Sequence, residues 1–224
     1  TITSLIAMAA HIEGKGCATL NQTGLAQKFG AVVSHVRVAS AQDGIKAVRI
    51  PAGEADLLIA CDLVVSTGYE AMGKVAHGRT HAVINDNEQP TAAFVQDPDA
   101  YFPAEGMRQK VAAQVGDQLE FVHASDIALQ LTGDAIGTNL FLLGYAWQRG
   151  WVPVGEAALE RAIELNGVAV EFNKSAFLLG RRFANQPELV ESLLPKASSS
   201  TDDDFTLDQV IEDRFQRLVA YQSV

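Results

Sequence analysis

The sequence predicts an α/β fold: a mostly parallel sheet flanked by helices, with a helical C-terminal region. Three observations carry this expectation. Short runs rich in Val, Ile and Leu alternate with segments of helical periodicity as far as His123. From Asp126 onward the apolar spacing is helical almost throughout. The 224 residues, 48% hydrophobic and 20% charged, suit one α/β domain with an appendage and supply enough apolar surface for a core.

The elements follow in order. Ile2, Leu5, Ile6, Ala9 and Ile12 share one helical face, and Gly14 stands where a C-cap glycine belongs, so the chain opens with a helix. An α/β domain ordinarily places a strand and a tight turn before its first helix, and nothing precedes Thr1. The chain also begins without Met, as a fragment or processed subunit would. Cys17–Leu20 reads as a short strand and Ala31–Ala39 as another, with Val33, His35 and Arg37 on one face. Leu57–Ala60 is a buried-type strand, Asp62–Val75 a helix, and Thr80–Asn85 and Thr91–Val95 strands parted by a turn at Asp86–Pro90. Glu105–Val115 is helical and Leu119–His123 extended.

Beyond Asp126, Gly133, Pro153, Gly167 and Pro187 punctuate a run of helices. Ser198–Asp204, rich in Ser and Asp, has linker composition. Thr206 and Gln209 then form a capping-box pattern opening a last helix, with Leu207, Ile211, Phe215 and Leu218 on one stripe. The expected division is a domain over 1–184, a helical extension and linker over 185–204, and a helix over 205–224 that docks beyond this domain. No internal repeat is present.

A net charge of −10 repels phosphate polymers and anionic membranes, so neither is an expected partner. Only Cys17 and Cys61 are present, whereas an iron–sulfur cluster usually takes four thiolates. No cluster or metal is therefore expected in this chain. The same two thiols offer no disulfide framework, which fits a reducing cytoplasm.

No dinucleotide fingerprint, P-loop, zinc-protease motif or nucleophile elbow occurs. His77 and His81 are four residues apart, but Gly78 and the following strand argue against a shared helical face. His11 and His123 flank apolar segments, as structural histidines do. The segment Gln22–Arg37 differs. Gly24 and Gly30 bracket a polar turn bearing Gln27 and Lys28, which runs into a strand carrying His35 and Arg37. A glycine-flanked loop of this kind can offer N–H groups, an amide and an ammonium to an anionic cofactor; a solvated turn beside a carboxylate-paired strand is the plainer alternative. Asn139, Asn166, Asn173, Lys174, Arg181 and Arg182 lie in the helical run as interface anchors or, more commonly, caps and solvated positions.

Several stretches also carry a family resemblance: GLAQKFGAVVSHVRVA at 24–39, ADLLIACD at 55–62, THAVIND at 80–86, NLFLLGYAWQRGWVPV at 139–154 and AIELNGVAVEFNKSAFLLGRR at 162–182. The chain resembles, from Thr1 to about Ala184, the γ-type domain of pyruvate and indolepyruvate ferredoxin oxidoreductases, and the last two motifs resemble the long, fused indolepyruvate type. The terminal stretch DFTLDQVIEDRFQRLVAYQ looks like the start of the segment that follows this domain there.

The resemblance implies oxidative decarboxylation of a 2-oxoacid with coenzyme A to acyl-CoA and carbon dioxide, with two electrons passed to ferredoxin. It places thiamine diphosphate, Mg and the iron–sulfur clusters in other domains or subunits, and implies an oligomeric assembly in which this domain helps receive coenzyme A. Gly24, Gln27, Lys28, Gly30, His35 and Arg37 are the implied binding residues, and no catalytic residue is implied here. Two departures stand out. The family's glycine-rich turn, expected just before Thr1, is absent or lies outside this sequence, and Phe29 replaces the first glycine of a usual Lys-Gly-Gly, where a bulky side chain resists positive φ. Two other readings remain: a stand-alone α/β enzyme acting on a nucleotide-containing substrate, and a purely structural assembly module.

Overall fold

The computed structural model describes residues 2–23, 31–88, 102–195 and 206–222. The expected strand at Thr91–Val95 and the linker at Ser198–Asp204 fall outside them, as does the end of the Asp86–Pro90 turn.

The chain opens with α1 (Ile2–Ile12), which buries Leu5, Ile6, Ala9 and Ala10, and turns at Gly14 with φ +70°. Strands β1 (Gly16–Thr23) and β2 (Val32–Ala39) pair antiparallel from Gly16↔Ala39 to Thr23↔Val32. This two-stranded hairpin is separate from the central sheet, which is wholly parallel in the order β3-β4-β5. Its strands are β3 (Leu57–Ala60), β4 (His81–Asn85) and β5 (Leu119–Val122). The α/β architecture with a mostly parallel, helix-flanked sheet is thus as the sequence predicts.

Between β3 and β4 the helix expected over 62–75 is two short pieces, α2 (Leu63–Ser66) and α3 (Tyr69–Met72). Asp62 caps α2 by accepting the Val65 N–H at 2.9 Å, while the hydroxyls of Ser66 and Thr67 bond back to Leu63 and Val64 carbonyls. Gly68 is extended, and the helix stops there. α4 (Ala104–Val115) crosses over between β4 and β5.

The sheet is covered on both faces. Ala82 and Ile84 join Leu63, Met72, Val111 and Val115 in one core cluster, whereas Val83 points into the larger cluster on the opposite side. That alternation of partners on consecutive residues is what a parallel strand buried on both sides requires. The larger cluster is built by α1, α5 (Ala124–Thr132), α6 (Thr138–Gln148), α7 (Glu156–Asn166) and α8 (Val170–Asn185). Gly133 and Gly167 end α5 and α7 at φ +84° and +69°, and Pro187 opens α9 (Pro187–Ser192), so these breaks fall where the sequence puts them. Helices α6 and α8 cross closely at Gly144 and Gly180.

Residues Thr1–Leu194 form one compact unit and Pro195–Val224 a second. The second carries α10 (Leu207–Gln222), and the Thr206 N–H donates to Gln209 Oε1 at 2.9 Å, the reciprocal arm of the expected capping box. Leu207, Ile211 and Phe215 are exposed on it. No helix among the described residues is long and apolar enough to cross a membrane.

Candidate functional site

A cleft of about 1110 Å³ opens between β2 and β3. Val33, Ser34 and Arg37 of β2 form one wall and Leu57–Ala60 the other, with Ile2 and Ile6 of α1 at its side.

Of the residues singled out in the sequence, Gly24, Gln27, Lys28 and Gly30 lie outside the described residues. His35 and Arg37 are described, and their surroundings differ. His35 is only 2% exposed. Its Nδ1 accepts the Ile50 N–H at 3.3 Å, which leaves Nε2 protonated and donating to Gln22 Oε1 at 2.9 Å. Both ring nitrogens are engaged, so His35 holds β2 to β1 and to the segment at Ile50. Burial, then the positive charges of Lys74 and Arg49, push its pKa down, against a smaller opposite effect of Glu70. The neutral ring is the form these hydrogen bonds need.

Arg37 stands on the cleft wall, donating from Nη1 to the Arg49 carbonyl at 3.4 Å. No carboxylate pairs with it among the described residues, whereas Arg79 beside the same cleft is bound to Asp56 at 2.9 Å and Arg49 to Glu70 at 2.9 Å. Arg37 lies five steps along the strand from Val32, where the segment bearing Lys28 enters it, and at roughly 3.4 Å per residue that is about 17 Å. A ligand reaching from that entry to Arg37 has to be long.

Two groups at the carboxyl ends of the parallel strands escape sequence reading. Asn85 Nδ2 donates to the Cys61 carbonyl at 3.1 Å and to Ser125 Oγ at 2.9 Å, while Asn85 Oδ1 accepts the Ser125 N–H at 3.1 Å. Thr138 Oγ1 extends the chain to Ser125 Oγ at 3.1 Å, so one buried amide ties the ends of β3 and β4 to the start of α5. Next to it the buried Asp86 carboxylate lies 3.2 Å from Arg108 Nε and 3.1 Å from His123 Nδ1. The available signal was position: in open parallel sheets, polar residues at carboxyl ends face the usual ligand crevice.

Four other polar candidates serve the fold. His81 stacks on Trp151 at 4.8 Å, Asn173 Nδ2 donates to the Val168 carbonyl at 2.8 Å, and Lys174 pairs with Glu164 at 2.8 Å. Arg181 lies 4.6 Å over the Trp147 ring and is bound to Glu156. Among the described residues, no group of three His, Cys, Asp or Glu stands where it could hold a metal ion. A four-thiolate cluster does not fit a chain with two cysteines. Burial holds Cys17 above the usual thiol range and, with Asp62 nearby, pushes Cys61 up to about 11, so both favour the thiol over the metal-ligating thiolate.

Comparison with known proteins agrees with this architecture. The chain is similar to indolepyruvate oxidoreductase subunit IorB of Archaeoglobus fulgidus, 28% identical over 186 residues that span 80% of this chain and 86% of that protein. The Pyrococcus horikoshii subunit of the same name is 25% identical over 190 residues, covering 83% and 90% of the two chains. Its fold is shared with the γ subunit of a keto/oxoacid ferredoxin oxidoreductase from Geobacter sulfurreducens, at TM-score 0.54, 18% identity and coverage of 82% and 89%. It is also shared with pyruvate oxidoreductase subunit PORC from Thermotoga maritima, at TM-score 0.52, 19% identity and coverage of 81% and 86%. Residues 1–183 match the family model for pyruvate ferredoxin/flavodoxin oxidoreductase, and the chain belongs to that family.

Proposed function

We propose that the chain is the γ-type component of a thiamine-dependent 2-oxoacid:ferredoxin oxidoreductase acting on an arylpyruvate such as indolepyruvate. The reaction joins a 2-oxoacid and coenzyme A into acyl-CoA, releases carbon dioxide and passes two electrons to ferredoxin. The family match over residues 1–183 supports the class of reaction, and the indolepyruvate oxidoreductase subunits among its relatives support the substrate. Residues 1–184 would be the γ-type domain, 185–204 an extension and linker, and 205–224 a helix leading onward. Thiamine diphosphate, Mg and the clusters belong to other domains or subunits of a cytoplasmic assembly, and neither cysteine here supplies a low-pKa thiolate.

The part assigned to this chain is to receive coenzyme A. The carrying observation is Arg37, a cation on the wall of an open cleft without a carboxylate partner among the described residues. Gly24, Gln27, Lys28 and Gly30 would supply the polar turn at the far end of β2, and a ligand as long as coenzyme A can reach from one to the other. His35 acts through position, since its ring is spent on Gln22 and Ile50.

The test is made in the assembled enzyme. A charge-assisted hydrogen bond contributes roughly 1.5–3 kcal/mol, so Arg37→Ala or Lys28→Ala should raise the KM for coenzyme A about 10- to 100-fold. The oxoacid KM should move much less. Unchanged coenzyme A dependence in both variants would instead make the domain a structural wall of the assembly.

A further inference from the structure

We infer, resting on the functional reading above, that the end of the helical half where α7 turns into α8 is an interaction surface for a different component of the enzyme. Its exposed apolar face is rimmed by carboxylates and fits a protein surface that presents an apolar hollow edged with Lys or Arg.

Apolar side chains gather at this end. Val168, between α7 and α8, is 65% exposed, and Leu165, in the last turn of α7, 52%. Ile136, in the 3₁₀ turn before α6, is 68% exposed, and Leu129 of α5 52%. Half-buried Phe172, in the first turn of α8, joins the two pairs. Its ring tip lies 3.3 Å from where a Cβ on Gly137 would stand, and Thr132 Oγ1, one turn after Leu129, lies as near. Apolar side chains exposed singly are ordinary, whereas several gathered in one place mark a surface that something covers.

The backbone holds Val168 outward. Gly167 ends α7 in the left-handed region at φ +69°, and the residue after such a glycine often packs back on the helix it leaves. Val168 has that position and stays exposed. Ala169, next in the chain, has φ +43°, the one positive value of a residue other than glycine among the described residues. Such a conformation persists where its surroundings fix it. Asn173 supplies the fixing: its Nδ2 donates to the Val168 carbonyl at 2.8 Å and its N–H to the Ala169 carbonyl at 2.9 Å.

The rim selects the partner. Glu160, Glu164 and Glu171 all act on the charge of Lys174, and Arg161 is the second cation there. Both cations are bound to the same carboxylate, Glu164, at 2.8 and 2.9 Å. Glu160 and Glu171 therefore leave this rim negative. A second copy would bring the same carboxylates, on a chain of net charge −10, so self-pairing through this face is repelled. A different protein surface, with Lys or Arg around an apolar hollow, complements both the face and its rim.

The experiment uses this chain and the enzyme assembled from it with the remaining components. Hydroxyl-radical footprinting, read by mass spectrometry, should show oxidation of Leu165, Val168 and Ile136 falling about fivefold or more on assembly. Val168→Asp should weaken association about tenfold or more in sedimentation, with the melting temperature of the free chain unchanged. Glu171→Lys should weaken it too, and the pair Glu160→Gln and Glu171→Gln should flatten its salt dependence. Unchanged oxidation of the three residues in an assembled enzyme overturns the surface and leaves the functional reading standing. Protection with no response to either charge change overturns the basic partner, as does protection that grows with the concentration of this chain alone, which a second copy would give. A chain that joins no such assembly overturns the surface and the functional reading together.

Discussion

Glu13 closes the N-terminus of a helix 142 residues away: its Oε1 accepts the Gly155 N–H at 2.6 Å. Gly155 is the N-cap of α7 and has no side chain with which to cap it. Glu13 performs the part that a capping-box glutamate plays from within a helix, and its charge lies at the positive end of the α7 dipole. Lys15 fixes the carboxylate, donating to Glu13 Oε2 at 2.6 Å and to the Pro153 carbonyl at 2.7 Å. The hydrogen bond from Lys15, then that from Gly155, hold the Glu13 carboxyl below its usual range near 4.5. Glu13→Ala should therefore cost about 1 kcal/mol of stability at pH 7, the typical worth of a cap. Because the folded pKa is depressed, the contribution is complete above the ordinary pKa and lost as pH falls through the folded one. Urea unfolding of wild type and variant should differ at pH 7 and converge as the pH falls through the depressed folded pKa.

Gly144 and Gly180 set the crossing of α6 and α8. A Cβ on Gly144 would stand 2.0 Å from the Phe177 carbonyl oxygen, and one on Gly180 would stand 1.9 Å from that of Phe141. Backbone cannot yield locally at such distances, so either substitution forces the helices apart around the fully buried Phe141. Ala is the better helix former by about 1 kcal/mol, but overpacking of a tight core costs about 1–3 kcal/mol or more. Gly144→Ala and Gly180→Ala are each expected to lower thermal stability. The double variant should cost less than the sum, since one separation of the helices relieves both contacts.

Periodicity read the elements well where structure is local. Leu57–Ala60 appears with its predicted bounds, and α1, β4, α4 and β5 fall within a residue of theirs. It failed at Thr67–Gly68, where hydroxyls and one extended glycine outweigh an otherwise continuous apolar spacing. His35 and Arg37 were placed on one strand face, but what each touches depends on Gln22, Ile50 and Arg49, contacts set by pairing across loops. The Gly144–Gly180 contact was hidden for the same reason: each glycine lies in a recognisable motif, and only the crossing brings them to each other's backbone.

Asn85 is the polar keystone of the sheet's carboxyl end, and its replacement should show what an amide does there. Asn85→Ala leaves the Ser125 N–H without its described partner and Ser125 Oγ with Thr138 alone, and should cost about 2–3 kcal/mol, measured by thermal or urea unfolding. Asn85→Asp keeps the shape but turns a carboxylate oxygen toward the Cys61 carbonyl, now 3.1 Å from Nδ2. At pH 7 it should be at least as destabilised as the alanine variant. Burial of that carboxyl raises its pKa in the folded state, so lowering the pH should restore part of the loss as the group protonates and can again donate. Recovery toward acid in the aspartate variant, and none in the alanine one, is the expected pattern.

His35 should make the contact between the hairpin and the segment at Ile50 sensitive to acid. Its Nδ1 must stay unprotonated to accept the Ile50 N–H, and burial, with Lys74 and Arg49 nearby, lowers its pKa below the ordinary 6.5. The sign follows from linkage. In the unfolded chain the ring takes up a proton near pH 6.5, while in the folded one it resists to lower pH, so the unfolded state binds more protons in that window. The stability His35 contributes is complete above pH 6.5 and is lost as pH falls through the depressed folded value. His35→Gln keeps a polar side chain of similar reach and removes the titration. Its stability should therefore fall less steeply between pH 7 and pH 5 than that of wild type, in parallel urea titrations at each pH. If the two slopes agree, His35 does not titrate differently on folding, and its ring is accessible to protons in the native hairpin.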